Sequence, residues 1–303
     1  MTRFSWLPFP EYGCKFVCRP VFSMPITPQR SRVVFEKLAE DLIKLSSKPR
    51  AKNVHRFRTG TRRLQTLLGD LSPKLDGNQK KLLKLLDRIR KRAGKVRDVD
   101  VQLTALRTLK ISQEPRRKTQ LVNNLIDLRG GQEKKLRKAL DAGTVREIRK
   151  RLKRAARNFK PEADRDPLGI ARSMLERIAR EDGPLTEPLL HQYRIVSKRA
   201  RYVAEFARSA EAPEFIAELK RIQDALGDWH DWLTLTETAS SYLGDVRQSS
   251  LVAELRNVTG AKFRHAIAVL AQMRAKLGPE IRHPAHAPAR SPGKAVRPAT
   301  SAA

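Results

Sequence analysis

The sequence predicts an all-α chain made of two pseudo-symmetric helical-bundle repeats. Three observations carry that expectation. Apolar residues recur at intervals of three and four from Ser31 to about Leu277, the spacing that lines one face of a helix. No useful length of sequence alternates apolar with polar residues, so no sheet is expected. Two sequence patterns also recur in the same order, at offsets of 136 and 133 residues.

Taken in order, residues 1–28 carry aromatics, prolines and both cysteines of the chain (FSWLPFPEYGCKFVCRPVF). They lack the continuous apolar stretch and small-residue cleavage site of a signal peptide. Two readings stay open: a short interaction arm, or sequence ahead of a true start at Met24. Cys14 and Cys18 cannot make a disulfide or zinc framework for a 303-residue body, and no metal site is predicted. Val33, Val34, Leu38, Leu42 and Leu45 then form one apolar stripe. Val54, Phe57, Leu64, Leu68 and Leu71 form the next, followed by Leu82, Leu83, Leu85, Leu86 and Ile89, and later by Leu219, Ile222 and Leu226. Gly60, inside a strong helical pattern, costs about 1 kcal/mol against Ala and marks close packing or a kink.

Breakers fall at Ser72-Pro73, Asp76-Gly77, Glu114-Pro115, Gly130-Gly131, Gly143, Pro161, Asp166-Pro167, Gly183-Pro184 and Pro213. About ten helices result, and the short loops make them antiparallel neighbours in a bundle. The helical domain is expected over 29–278, with repeat halves 31–140 and 168–277 and an intensely basic connector at 144–160 (VREIRKRLKRAARNFK). Residues 279–303 alternate proline, alanine and basic residues, which reads as a disordered basic tail. His283 and His286 in that tail are expected to be solvated.

Charge narrows the function. Sixty-three Lys+Arg stand against 32 Asp+Glu, a formal net charge of +31 with a pI near 10.9. Such an excess repels itself and favours a polyanionic partner: nucleic acid, an anionic membrane or a phosphate polymer. Aromatics make up 6% of the chain, few for a protein that grips nucleic acid by base stacking. No apolar run approaches a membrane span.

The first recurring pattern pairs Val54-His55-Arg56-Phe57-Arg58 through Arg62-Arg63-Leu64 with Leu190-His191-Gln192-Tyr193-Arg194 through Lys198-Arg199-Ala200. The second pairs Gly94-Lys95-Val96-Arg97-Asp98-Val99 with Gly227-Asp228-Trp229-His230-Asp231-Trp232. Two copies of one helical unit, packed about a pseudo-twofold axis, are the simplest account. His55, Arg58 and Arg62 fall at i, i+3 and i+7 and share a helix face, and His191, Arg194 and Lys198 hold the same phase. No acid interrupts 52–69 or 188–204, although opposite charges at i,i+4 are favourable and like charges are not. Each stripe taken singly reads as a solvated helix flank. Retention in both copies favours ligand contact. His230, between Asp228 and Asp231, fits a helix-ordering ion pair as well as it fits a ligand contact.

These residues resemble the CHAD family, the conserved-histidine alpha-helical domain. The likeness rests on V-H-R-F-R-T-G-T-R-R-L, A-G-K-V-R-D-V-D-V, L-H-Q-Y-R-I-V-S-K-R-A-R-Y and L-K-R-I-Q-D-A-L-G-D-W-H-D, in the family's order. The resemblance implies two units of about four helices each, with a basic cleft between them that binds inorganic polyphosphate. Association with polyphosphate granules is also implied, and no catalytic activity. By residue match the polyphosphate-binding set is His55, Arg58, Arg62, Arg63, Arg97, His191, Arg194, Lys198, Arg199, Arg201 and His230. Gly60 and the aromatic-rich Trp229-His230-Asp231-Trp232 depart from the family's usual pattern. The E-x-E-x-K signature of the triphosphate-tunnel domain, which precedes this one in many relatives, does not occur, so the module is expected to stand alone.

The expected function is therefore non-catalytic polyphosphate binding, with no cofactor, in the bacterial cytoplasm and on polyphosphate granules. Arginine offers a planar fork for phosphate oxygens and lysine a point charge. Histidine adds a donor that a polyanion favours in its protonated form, so affinity is expected to fall as pH rises through about 6–8. Three rivals remain. Nucleic-acid binding fits the charge, but no zinc-finger or RNA-recognition signature is present. A metal-dependent phosphohydrolase would draw on Asp98 with Asp100 or Asp228 with Asp231, yet i and i+2 point apart on a helix and no phosphate loop occurs. A membrane or granule coat would use the basic amphipathic helix 144–160.

Overall fold

A computed structural model describes residues 28–72, 74–111, 113–160, 165–181, 183–243 and 249–281. They form nine helices: α1 Pro28–Ser47, α2 Ala51–Gly69, α3 Gly77–Thr108, α4 Pro115–Ala139, α5 Ala142–Asn158, α6 Pro167–Ala179, α7 Glu187–Ala204, α8 Ala212–Leu243 and α9 Ser250–Ile281. No strand occurs among the described residues. Cys14, Cys18, Met24, His283 and His286 lie outside them.

Most of the breaks follow the sequence chemistry. Asp76 caps α3 in a reciprocal box, its carboxylate accepting from the Gln79 N–H at 2.6 Å while Gln79 Oε1 accepts from the Asp76 N–H at 3.0 Å. Asp141 caps α5 and Asp166 caps α6, accepting from the Thr144 and Leu168 N–H groups at 2.8 and 3.0 Å. Prolines open α4, α6 and α7, where the missing N–H costs nothing.

Three expectations need correction. Gly130-Gly131 does not break the chain, because α4 runs through it. Arg129 pairs with Glu133 across the two glycines, and Glu133 in turn pairs with Arg137 at 2.7 Å, so i,i+4 ion pairs support the weak turn. Val33 is exposed, and Phe35 takes the buried place in α1. At the C-terminal end α9 continues to Ile281, past the expected start of the tail. Gly60 is a close-packing position: a Cβ there would come within 3.2 Å of Leu38 Cδ1 on α1.

Helices α1 to α4 pack as successive neighbours, and so do α6 to α9. The basic connector, α5, lies against α1 and α3. The two groups meet through α2 on α7 and α3 on α8. Buried apolar residues run across that junction: one cluster joins Leu64 and Leu68 to Ala200 and Val203, and another joins Leu103 and Leu106 to Leu235 and Leu255.

Polar links reinforce the junction. Arg63 on α2 donates from Nε to Glu205, the residue closing α7, at 2.7 Å. Arg199 on α7 pairs with Asp70, the residue closing α2, with Nε 3.0 Å from each carboxylate oxygen. Gln102 on α3 donates to Thr238 Oγ1 on α8 at 3.2 Å. Glu114, the left-handed residue (φ 51°) before α4, accepts from Ser249 Oγ and the Leu251 N–H at 2.9 and 3.0 Å, and so caps α9.

Phe57 is fully buried in the α1–α2–α3 core, whereas Ile195 is 54% exposed. Phe57→Ala is expected to cost about 3–5 kcal/mol of stability and Ile195→Ala less than about 0.5 kcal/mol. Urea midpoints measure both, and equal losses would contradict the packing described.

Candidate functional site

The repeated sequence patterns converge where α2, α3, α7 and α8 meet. On α2, Val54, Phe57, Thr61 and Leu64 face the core, which leaves His55, Arg58 and Arg62 on the adjoining flank. On α7, Leu190, Tyr193 and Ser197 are buried, and His191, Arg194 and Lys198 hold the equivalent flank. At 100° per residue, Arg63 and Arg199 turn one step further round their helices, toward the carboxylates of the opposite half.

Arg58 lies across α3. Its Nη1 donates to the Gly94 carbonyl at 3.1 Å and faces Asp98 Oδ1 at 3.3 Å. A Cβ at Gly94 would touch the guanidinium at 3.6 Å, so any longer side chain would displace it. In the other half Arg194 faces Asp231 on α8, with Nη2 4.0 Å from Oδ1. The two Arg–Asp relations thus recur at the offsets read from the sequence. Rings of His191 and His230 stand 5.7 Å apart, and Trp229 is buried behind them against Phe263.

The charges of the two halves feel one another. Burial, then the cations Arg194, Arg62 and Arg58, push the Lys198 amine down to about 7, with Asp231 only partly opposing. Burial lowers the pKa of Arg194, and Arg62 and Arg58 from the other half add to the effect. Arg62 is lowered chiefly by burial too, with Arg58 and Arg90 contributing while a hydrogen bond with Tyr202 resists. Burial raises Asp231, and Arg194, Lys198 and Arg97 pull it back. His55 is lowered by desolvation and then by Arg97, Arg58, Arg201 and Arg63. His230 falls to about 4 through burial and the nearby Arg194, His191 and Lys198.

Nine of the eleven predicted residues therefore meet in or beside one cluster: His55, Arg58, Arg62, Arg97, His191, Arg194, Lys198, Arg201 and His230. Arg201 sits at its margin, paired with Glu205 at 3.3 Å and stacked over Tyr202 with 4.9 Å to the ring centroid. Arg63 and Arg199 are held by carboxylates across the junction, although Arg63 still adds to the field at His55. Arg90 was not foreseen. It falls two turns before Arg97 on the same face of α3, a spacing that would have found it. The Nε atoms of Arg90, Arg194 and Arg201 are buried without a hydrogen-bond partner among the described residues, as are Arg151 Nε and Arg117 Nη1 outside the cluster.

The structure adds to two of the sequence readings. Lys198 joins the groups brought near neutrality in the free protein, at about 7, while burial and then cationic neighbours lower the pKa of His55 and hold His230 at about 4. The two Asp pairs do not converge on a shared ion: Asp98 faces Arg58 while Asp100 pairs with Arg129 at 2.7 Å, and Asp228 pairs with Lys262 at 2.9 Å while Asp231 faces Arg194. No group of three or more metal-ligating side chains occurs among the described residues.

The family model described as the CHAD domain matches residues 35–240. The crystal structure of the CHAD domain from the plant Ricinus communis is similar in fold, with a TM-score of 0.58 at 15% identity, covering 88% of this chain and 96% of that one. PptA from Streptomyces chartreusis is similar too, with a TM-score of 0.58 at 16% identity, covering 81% of this chain and 96% of that one. No curated protein matches the chain.

The depressed Lys198 gives a signed expectation for stability. The unfolded chain holds that proton up to about 10.5 and the folded one only to about 7. Folding therefore carries the cost of the buried charge below pH 7 and sheds it as pH rises toward 10.5. Lys198→Met is expected to raise the melting temperature of the free protein at pH 6.5, and the gap from wild type should close between pH 7 and 10. Calorimetry across that range checks it, and a pH-independent gap would contradict it.

Proposed function

The chain belongs to the CHAD domain family, and on that footing we propose that it binds inorganic polyphosphate, without turning it over, along the cationic cluster shared by its two halves. One observation carries the reading most of the way. Burial first, and then the field of Arg62 and Arg58 from one half, depress the pKa of Arg194 and Lys198 in the other. Concentrated like charge of this kind costs stability unless an anion enters.

Polyphosphate is a flexible chain of linked phosphates with no bases. A track of donors suits it better than a hydrogen-bond code. Arginine supplies forked donors for the non-bridging oxygens, and several charge-assisted bonds in series, each of about 1.5–3 kcal/mol, suffice for tight binding. The Gly94 carbonyl and Asp98 hold Arg58 in place, and Asp231 faces Arg194 at 4.0 Å. The repeated Arg–Asp relations, and the reciprocal pairs Arg63–Glu205 and Arg199–Asp70, support the reading of two related units about a pseudo-twofold axis with the ligand track between them. Polyphosphate granules are the proposed cellular setting. No helix among the described residues is long and apolar enough to cross a membrane.

A bound polyanion stabilises the protonated amine and so raises the Lys198 pKa from about 7. Through Lys198, affinity falls as pH rises above about 7, where the free amine loses its proton.

Changing Arg58, Arg62, Arg194 and Lys198 together to Gln is expected to weaken polyphosphate binding at least about a hundredfold, read by calorimetric titration at physiological salt. Equal affinity would place the site elsewhere. Polyphosphate should displace DNA from the wild type under the same conditions, and displacement in the reverse direction would favour a nucleic-acid binder. Release of phosphate with magnesium or manganese present would contradict the non-catalytic reading.

A further inference from the structure

Helix α5 carries a second charged surface that the central cluster does not use. Ile148, Leu152 and Ala155 are buried against the core, and Phe159 stacks on Phe35 of α1 with ring centroids 5.9 Å apart. The apolar side of the helix is therefore consumed by the fold. Its outer side presents Arg146, Arg149, Lys150, Lys153, Arg154 and Arg157, all exposed. These fall at i, i+3, i+4 and i+7 spacings over about 16 Å of helix, where like charges disfavour the helix. The helix has one carboxylate, Glu147, and Arg151 holds it at 2.6 Å. None of the six outer cations has an ion-pair partner among the described residues.

This ridge is separate from the central cluster. α5 packs on α1 and α3, and none of its cations is among the leading charges that shift Arg62, Arg194, Lys198, His55 or His230. α3 beside it exposes Lys80, Lys81, Lys84 and Arg88, while α1 on the other side mixes Arg32, Lys37 and Lys44 with Glu36 and Glu40. With its apolar side buried, α5 has nothing to insert into a bilayer, which removes the main contribution to amphipathic membrane binding. A linear polyanion remains the fitting occupant.

We propose that the outer face of α5 is a second polyphosphate site, so that one molecule links two polyphosphate chains, or two stretches of one. This rests on the central cluster binding polyphosphate as proposed above. Charge complementarity is the basis: an unbranched phosphate chain can follow a straight ridge of cations without base or shape recognition. Two sites on one molecule convert binding into cross-linking, which gathers long chains into particles.

The test uses the full chain with Arg149, Lys150, Lys153, Arg154 and Arg157 changed to Gln. These positions are exposed and Gln keeps helix propensity, and circular dichroism checks the fold. Tripolyphosphate, too short to link two surfaces, reports binding without cross-linking by calorimetry, the variant leaving the central cluster to be read alone, and long-chain polyphosphate reports cross-linking by light scattering. The variant is expected to bind tripolyphosphate at the central cluster within about twofold of wild type. It should need at least tenfold more protein to form particles with long-chain polyphosphate. Particle formation at the wild-type ratio would overturn the proposal, and so would loss of central tripolyphosphate binding in the variant. Vesicles containing phosphatidylserine form a separate arm: capture of wild type but not variant, with particle formation unchanged, would overturn it in favour of a membrane surface. If wild type binds neither phosphate, the reading of the central cluster fails and this one with it.

Discussion

Repulsion among cations held at fixed positions is the constraint on which this structure depends. α2 and α7 each carry a row of basic residues, α2 packs on α7, and α3 packs on α8. Burial makes each charge more costly, and each neighbour of the same sign adds to the cost. Lys198 shows the balance most directly, since its amine is brought close to losing its proton at physiological pH. A fold that tolerates this must be held by something else.

That support comes from a division of labour between adjacent positions. Arg62 and Lys198 face the cluster, while Arg63 and Arg199, one step further round their helices, reach across the junction to Glu205 and Asp70. The carboxylates end the helices opposite, so each half closes on the other. Gln102 and Glu114 add uncharged and capping links further along the same junction. Apolar burial across α2, α3, α7 and α8 supplies the bulk of the cohesion. The cationic rows can then be kept in register without contributing to stability themselves.

The helices and most of the cluster were legible because they depend on local spacing. His55, Arg58 and Arg62 share a face by period alone, and Asp76 and Asp166 mark helix starts through capping chemistry that acts within three residues. What was not legible depends on distant partners. Arg63 and Arg199 look like part of the basic stripe until Glu205 and Asp70 are found 142 and 129 residues away. Gly130-Gly131 reads as a break until Arg129 is seen gripping Glu133 and, from α3, Asp100. The neutral state of His230 follows from its burial and from Arg194 and Lys198, which sequence adjacency to Asp228 and Asp231 does not convey. Arg90 was missed because it stands outside the duplicated motif, although its place two turns before Arg97 put it on the same face.

If confined positive charge is what the site holds in readiness, a polyanion should stabilise the folded chain by relieving it. The most direct measurement is the melting temperature with and without long-chain polyphosphate, across a series of salt concentrations. At a ligand concentration about 100 times the dissociation constant the gain is about 2.7 kcal/mol. The account predicts a clear rise in melting temperature that shrinks as salt screens the cluster. A melting temperature that polyphosphate leaves unmoved at low salt would contradict it.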